Sequence, residues 1–294
     1  MIVITAPTGK IGRRVLAGVL ETGARVRAIV RDPGKLPDGV RDRVEVVEGS
    51  HGDAEVVDRA FAGADTVFWL VPPDPRAVSV DEAYVGFTRP AAEALTRHQL
   101  ERVVSISALG RGSPWADKAG FVTASLAMDD LIANTGVAFR AVTNPSFMDN
   151  IARQTVSIRE KGTFSLPLDG DRKMPTCAAR DIAEIAARLL LDPRWDGTGY
   201  VAALGPEDLS LNDVAALMSE VLDKPIRYEQ ISFDAYKAGF VERGVSAAMA
   251  QGLTDMAWAK NEGLDNAEPR TPENTTPTSF RRWCEEELKP AVFG

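Results

Sequence analysis

ITAPTGKIGRRV, residues 4–15, decides the fold. The stretch passes from an apolar strand through a loop of small residues straight into a helix. Ala6, Gly9 and Gly12 carry it, a GxxGxxG-like pattern with alanine in the first place. Small residues are needed because the backbone must come close to a pyrophosphate. The opening helix then offers free N–H groups and the positive end of its dipole to the anion. Thr8 and Lys10 add polar donors, so the expected phosphate cradle is Ala6, Thr8, Gly9, Lys10, Ile11 and Gly12. Glycine turns after strands are common, and the motif alone is weak. Its place at the head of a βαβ unit is what points to a dinucleotide.

The next strand selects the cofactor. An NAD-selective protein places Asp or Glu about twenty residues beyond the loop, on the ribose 2′-hydroxyl. Here VRAIVRDPGK, residues 26–35, puts Arg31 in the first position after the strand and Lys35 four residues on. A guanidinium there can take a 2′-phosphate bidentately, so the expected cofactor is NADPH/NADP. The alternative is a solvated Arg31 beside Asp32.

Outward from these segments the first half alternates short β-branched runs with helices, the pattern of a parallel sheet covered on both faces. Six strands are expected, at Met1–Thr5, Arg25–Val30, Val44–Glu48, Asp65–Val71, Arg102–Ser107 and Val137–Val142. Helices are expected at Ile11–Thr22, Asp53–Ala62, Asp81–Gln99 and Ala119–Asn134. That count fits a Rossmann-type, doubly wound α/β sheet. After about Asn144 the rhythm changes to helices at Ala179–Leu191, Leu211–Leu222 and Ser246–Lys260, with short strands near Tyr200–Ala203 and Pro225–Ile231. The expected organisation is a dinucleotide-binding domain over residues 1–150. A smaller substrate lobe, not independently folded, spans 151–294 and includes an irregular surface stretch at Asp265–Thr278.

Composition narrows the function. Net charge is −8 and no Lys/Arg run exceeds two residues, which argues against nucleic acid or a membrane surface as the main partner. No apolar stretch approaches the ~18 residues of a membrane span. The strand reading from Met1 leaves no room for a leader, and Cys177 and Cys284 are too far apart for a metal motif. A cytoplasmic protein with free thiols is expected. His51 and His98 are the only histidines, so a His-rich metal site or a Ser-His-Asp triad is poorly supplied.

These segments resemble the NmrA-like branch of the atypical short-chain dehydrogenase/reductase family. ITAPTGKIG is similar to that family's TGATGxxG opening, and VRAIVRDPGK to its second strand, with the NADP-reading Arg falling on Arg31. RVVSISALG (102–110) resembles its fifth strand, and GVAFRAVTNPSFMDN (136–150) the segment bordering the nicotinamide. AARDIAEIAARLLLDP (178–193) and GPEDLSLNDVAALMSEVLDKPIRYEQIS (205–232) resemble its C-terminal lobe. The resemblance implies cofactor contacts from Asn144, Pro145 and Phe147. It also implies an adenine contact at Ser50 followed by His51. Leu70, Val71 and Pro72 end the fourth strand, where a doubly wound sheet places its cofactor.

The departures concern chemistry. The family's dehydrogenases use a YxxxK pair in which the Tyr donates the proton. In KAGFVTASLAMDDLIANTG (118–136) Gly120 falls at the Tyr and Ala124 at the Lys, and no Tyr lies between Tyr84 and Tyr200. The family's Ser falls near Ala108 or Leu109, and the Arg before Pro145 is Asn144. Ser105 and Ser107 alternate onto one face of their strand, which leaves Ser107 as a weak catalytic candidate. Asp129 and Asp130 read as solvated helix charges, and Asp181 as a first-turn carboxylate complementing its helix dipole. Trp115, Phe121, Met148, Phe233, Tyr236 and Phe240 would suit an aromatic pocket or ordinary core packing. Two functions follow. One is NADPH-dependent reduction of a ketone on a bulky aromatic, polyketide-like substrate, with the proton from the substrate or water. The other is a non-catalytic NADP(H)-binding redox sensor.

Overall fold

Sequence-local forces set most of the element ends. The computed structural model describes residues 1–294. The first half runs β1 (Ile2–Ile4), α1 (Lys10–Glu21), β2 (Val26–Val30), β3 (Glu45–Glu48), α2 (Ala54–Phe61) and β4 (Thr66–Trp69), then α3 (Phe87–Arg97), β5 (Arg102–Ala108), α4 (Phe121–Ala133) and β6 (Ala138–Asn144). The second half runs β7 (Ser146–Phe147), α5 (Thr155–Lys161), β8 (Thr163–Leu166), β9 (Met174–Cys177), α6 (Ala179–Leu191) and β10 (Thr198–Ala202), then β11 (Asp208–Leu209), α7 (Leu211–Leu222), β12 (Arg227–Gln230), α8 (Phe233–Glu242), α9 (Ala247–Asn261), α10 (Phe280–Trp283) and α11 (Lys289–Phe293).

Side chains cap several helices. Asp53 accepts from the Glu55 N–H at 2.9 Å, and Ser210 and Asp213 form a reciprocal capping box at 3.1 and 3.0 Å. The expected helix over Asp81–Gln99 instead begins as a π-helical turn at Glu82–Gly86. Pro90 lies in the first turn of α3; it lacks an N–H and its ring crowds the carbonyl four residues back, so the helix widens before it.

The chain divides into two compact units. Unit 1 comprises Met1–Ala108, Ala124–Thr143 and Ile182–Val201, and unit 2 comprises Leu109–Thr123, Asn144–Asp181 and Ala202–Gly294. Unit 1 holds a seven-stranded sheet in the order β10-β6-β5-β4-β1-β2-β3. β1 pairs in parallel with both β2 and β4, with Ile2 opposite Val26 on one side and Thr66 on the other. The strand order reverses there, which sets the binding crevice of a doubly wound sheet at the carboxyl ends of β1 and β4. Ile2, Val3 and Ile4 are all buried, as are Val67, Phe68 and Trp69; central strands of a sheet covered on both faces are apolar on both faces.

Two expectations are corrected and a third is extended. The strand near Tyr200 belongs to the large sheet beside β6, not to the C-terminal lobe. Its alternating exposed and half-buried residues are those of an edge strand. The stretch Asp265–Thr278 is not merely surface wrapping. It opens with a 3₁₀ turn at Leu264–Ala267, and Asp265, Thr276 and Thr278 are buried. Asp181 lies in the first turn of α6, but its oxygens are taken by the Thr278 N–H at 3.0 Å and hydroxyl at 2.7 Å. Unit 2 also contains two small sheets, β11-β9-β7 and β12-β8.

Candidate functional site

β1 ends in a turn that only small residues tolerate. Ala6 has φ +48°, a left-handed conformation that costs a residue with a β-carbon about 1–2 kcal/mol. Its carbonyl accepts the Gly9 N–H at 3.1 Å. That carbonyl also lies so near Gly12 that a β-carbon there would stand 2.1 Å from the oxygen. The protein itself therefore demands glycine at 12. Gly9 is different, because a β-carbon there would meet nothing closer than 3.5 Å. Gly9 is the N-cap of α1, which has neither a side-chain cap nor an acidic residue in its first turn. Thr8, Gly9 and Lys10 are exposed. An uncapped helix start, reached by a loop without bulk, fits a dinucleotide pyrophosphate.

The neighbouring strand ends are tied together. Thr5 Oγ1 donates to the Phe68 carbonyl and accepts the Leu70 N–H, both at 2.9 Å. Arg31 is exposed at the end of β2, while Asp32 accepts the Gly34 N–H at 3.0 Å and pairs with Lys35 at 3.8 Å. Ser50 is half-buried and accepts the Gly52 N–H at 3.2 Å. The His51 ring is turned inward and donates from Nε2 to the Leu70 carbonyl at 3.0 Å. It stands edge-on to Trp69 and Phe87 at 5.1 and 4.8 Å. Burial pulls its pKa down to about 4, and the Arg31 charge pulls in the same direction. Leu70 is half-buried, Val71 buried and Pro72 exposed.

β5 and α4 hold a polar cluster that sequence reading missed. Ser105 donates to Asp129 at 3.1 Å, Ser107 donates to the other oxygen of Asp129, and Ser107 lies 3.2 Å from the Ser125 hydroxyl. Asp129 is 2% exposed, which corrects its reading as a solvated charge; Asp130 is the exposed one. The signal was available in part: Ser125 and Asp129 are four residues apart on one helix face, opposite the two alternating serines. Tyr84 offers no substitute acid, since burial raises its phenol above the ordinary value.

A close contact within unit 2 lies at Gly120. Gly120 has φ +52°, and a β-carbon there would stand 2.0 Å from the Gly252 carbonyl oxygen of α9. The backbone of α9 occupies the space a side chain at 120 would need. Ala124 is buried. The Leu109 N–H donates to the Asn144 carbonyl at 3.2 Å; Asn144 and Pro145 are buried, and Phe147 is half-buried on β7. Met148 belongs to the unit 2 core, against which the half-buried Phe233 and Tyr236 of α8 pack; Phe240 lies on the same helix, which has no fully buried residue. Tyr236 and Phe240 meet edge-to-face at 4.8 Å.

The comparisons with known proteins agree with this architecture. The NAD(P)H-binding family matches residues 7–193 and the NmrA-like family residues 132–283. A (4-alkanoyl-5-oxo-2,5-dihydrofuran-3-yl)methyl phosphate reductase of Streptomyces griseus is 33% identical over 245 residues, 83% of this chain and 81% of that one. An NAD(P)H azoreductase of Xenophilus azovorans is 27% identical over 256 residues, 87% of this chain and 86% of that one. The chain belongs to the NmrA-like family of NAD(P)H-binding proteins. Among solved structures, the triphenylmethane reductase of Citrobacter sp. complexed with NADP(H) shares the fold at TM-score 0.77 and 19% identity, covering 99% of both chains.

His51 gives this region a pH signature. An unfolded histidine titrates near 6.5 and folded His51 at about 4. Below the unfolded value the unfolded chain takes up a proton that the fold excludes. Stability from this group is whole above pH 6.5, declines as pH falls, and is gone once pH passes about 4. The loss is roughly 3 kcal/mol at ~1.4 kcal/mol per pKa unit. Urea midpoints measured near neutral pH and at about pH 4.5 should differ more for the wild-type protein than for His51→Gln. An equal difference in both proteins would show that His51 does not titrate in this way.

Proposed function

We propose that the protein is an NADPH-dependent reductase of a carbonyl on a bulky aromatic small molecule, acting without a Tyr/Lys pair. The observation that carries the reading is the contact of Gly120 with the α9 backbone, found in a chain whose uncapped α1 still fits a dinucleotide. The open N-terminus of α1 supports dinucleotide binding, and the close contact at Gly120 supports chemistry without a phenol at that position. Family relatives are named as reductases of small molecules, among them an azoreductase and a furanone phosphate reductase. The structural neighbours include a triphenylmethane reductase and an NADPH-dependent quinone oxidoreductase of Escherichia coli. The half-exposed aromatic side chains of α8 supply rings for a planar substrate to stack on.

When bound, NADPH supplies the hydride. The phosphate loop, from Ala6 to Gly12, holds the pyrophosphate; Arg31, with Lys35 beside it, takes the 2′-phosphate. Ser50 and His51 line the adenosine end, the latter through its backbone since its ring is engaged. Leu70, Val71 and Pro72 would border the ribose, and Asn144, Pro145 and Phe147 the nicotinamide. Ser107 is poorly placed as a proton donor, because its hydroxyl proton is directed to Asp129. The new O–H bond on the reduced carbonyl therefore takes its proton from a phenol already hydrogen-bonded to that carbonyl in the substrate, or from water. The protein would contribute position and orientation of the substrate carbonyl.

Two measurements test this. Arg31→Ala should weaken NADPH by roughly 1.5–3 kcal/mol, the scale of a lost charge-assisted hydrogen bond, and leave NADH almost unchanged; equal losses for both would make Arg31 structural. Aromatic ketones with an adjacent phenol should be reduced, with oxidation of NADPH followed by absorbance, while their O-methyl ethers bind but turn over far more slowly. A Ser107→Ala or Asp129→Asn variant that loses the 10²–10⁴-fold typical of a general acid, with NADPH binding intact, would identify a protein donor and overturn substrate-supplied protonation.

A further inference from the structure

Lys260 and Asp265 form an ion pair inside unit 2, with the ammonium 2.5 Å from Asp265 Oδ2 and the two side chains only 9% and 1% exposed. Burying such a pair is an inefficient route to stability, because the desolvation cost about cancels the attraction and an apolar pair of similar volume does as well or better. The pair is also incompletely satisfied. Asp265 Oδ1 is buried without any hydrogen-bond partner. A merely structural reading leaves these features without a cause.

What the pair holds is specific. Asp265 Oδ2, the oxygen that faces Lys260, also accepts the Ser146 N–H at 3.2 Å. Ser146 follows Pro145, which has no N–H of its own, so this is the first backbone donor available after Asn144. Two residues of β7, Ser146 and Phe147, continue the segment by pairing with Thr176 and Cys177 of β9. Leu264, next to Asp265, presses on the loop after β5: a β-carbon on Gly110 would lie 2.9 Å from its side chain. Gly263, with φ +98°, sets the turn that places both residues. One short turn after α9 thus anchors the segment leaving β6 and abuts the one leaving β5.

We infer that the Lys260–Asp265 pair is a positioning device that fixes the Asn144–Phe147 segment against the nicotinamide end of the cofactor. This rests on the proposed role of Asn144, Pro145 and Phe147. Neither Lys260 nor Asp265 touches the cofactor; Asp265 Oδ2 orients the Ser146 N–H, and the contact with Lys260 holds that carboxylate in place. The charge of α9 that performs this task comes from the same helix whose backbone excludes the tyrosine at 120.

The decisive variant is Lys260→Met combined with Asp265→Leu, which removes both charges and keeps the volume. It should melt no lower than the Lys260→Met single variant, in which the carboxylate stays buried without its cation. Amide exchange at Ser146, read without cofactor, should accelerate about tenfold or more with the loss of its charged acceptor. NADPH should bind about tenfold more weakly, while 2′-phospho-ADP-ribose, which lacks the nicotinamide, should bind as tightly as to the wild-type protein. Unchanged NADPH affinity, or equal losses for both ligands, overturns the inference, as does unchanged Ser146 exchange. A wild-type protein that binds neither ligand would refute the proposed function instead, and Ser146 exchange would still report on whether the pair holds its segment.

Discussion

The carbonyl of Ala6 and the α-carbon of Gly12 come so close that the first turn of α1 can be built in only one way. A β-carbon on Gly12 would lie 2.1 Å from that oxygen, and Ala6 itself is held at φ +48° to point the carbonyl there. The constraint fixes where α1 begins relative to β1, and β1 is the strand that pairs with both β2 and β4. Helix start and crevice are thereby set together at the carboxyl ends of the central strands. Leaving Gly9 as an N-cap without a side chain forgoes the ~1 kcal/mol that a Ser or Asp cap contributes. That omission makes sense where an anion is to take the cap's place.

A second close approach shapes the chemistry. In unit 2 the start of α4 meets the Gly252 carbonyl of α9 at Gly120, which leaves no room for a side chain there. The same helix carries Lys260, whose pairing with Asp265 reaches the Ser146 N–H. In unit 1 the buried carboxylate of Asp129 gathers the hydroxyls of Ser105 and Ser107. Both arrangements give order to backbone and side chains at the ends of β5 and β6. Neither presents a free acid. On the proposed function, such a frame would act chiefly by orientation, with the proton drawn from the substrate or solvent.

Much of the fold was legible in the sequence because βα alternation is a local pattern. Six strands and the helices α1, α2, α4, α6, α7 and α9 fall within two residues of where their apolar periodicity and caps place them. β10 was misplaced because an edge strand of alternating exposure carries no long-range information about which sheet it joins. α8 was not seen: Phe233, Tyr236 and Phe240 recur at helical spacing, but they stay half-buried and only a short apolar stripe results. The glycine turn between β1 and α1 was legible from spacing, though not the close approach that makes Gly12 obligatory. The burial of Asp129 was not, because its serine partners lie 22 and 24 residues away in the chain. Lys260 and Asp265 are near neighbours in sequence, yet nothing local announces that both are buried or that Ser146, 119 residues from Asp265, meets the carboxylate. The reason for glycine at 120 likewise exists only in the fold.

The N-terminus of α1, fixed by the contact of Ala6 with Gly12, is the proposed seat of a dinucleotide pyrophosphate. Backbone amide correlation spectra recorded during an NADPH titration address it directly. The account predicts that the amides of Gly9, Lys10, Ile11 and Gly12 shift most among those in the first turn and loop, and do so equally with 2′-phospho-ADP-ribose. Saturation of binding with these four amides unmoved would contradict it.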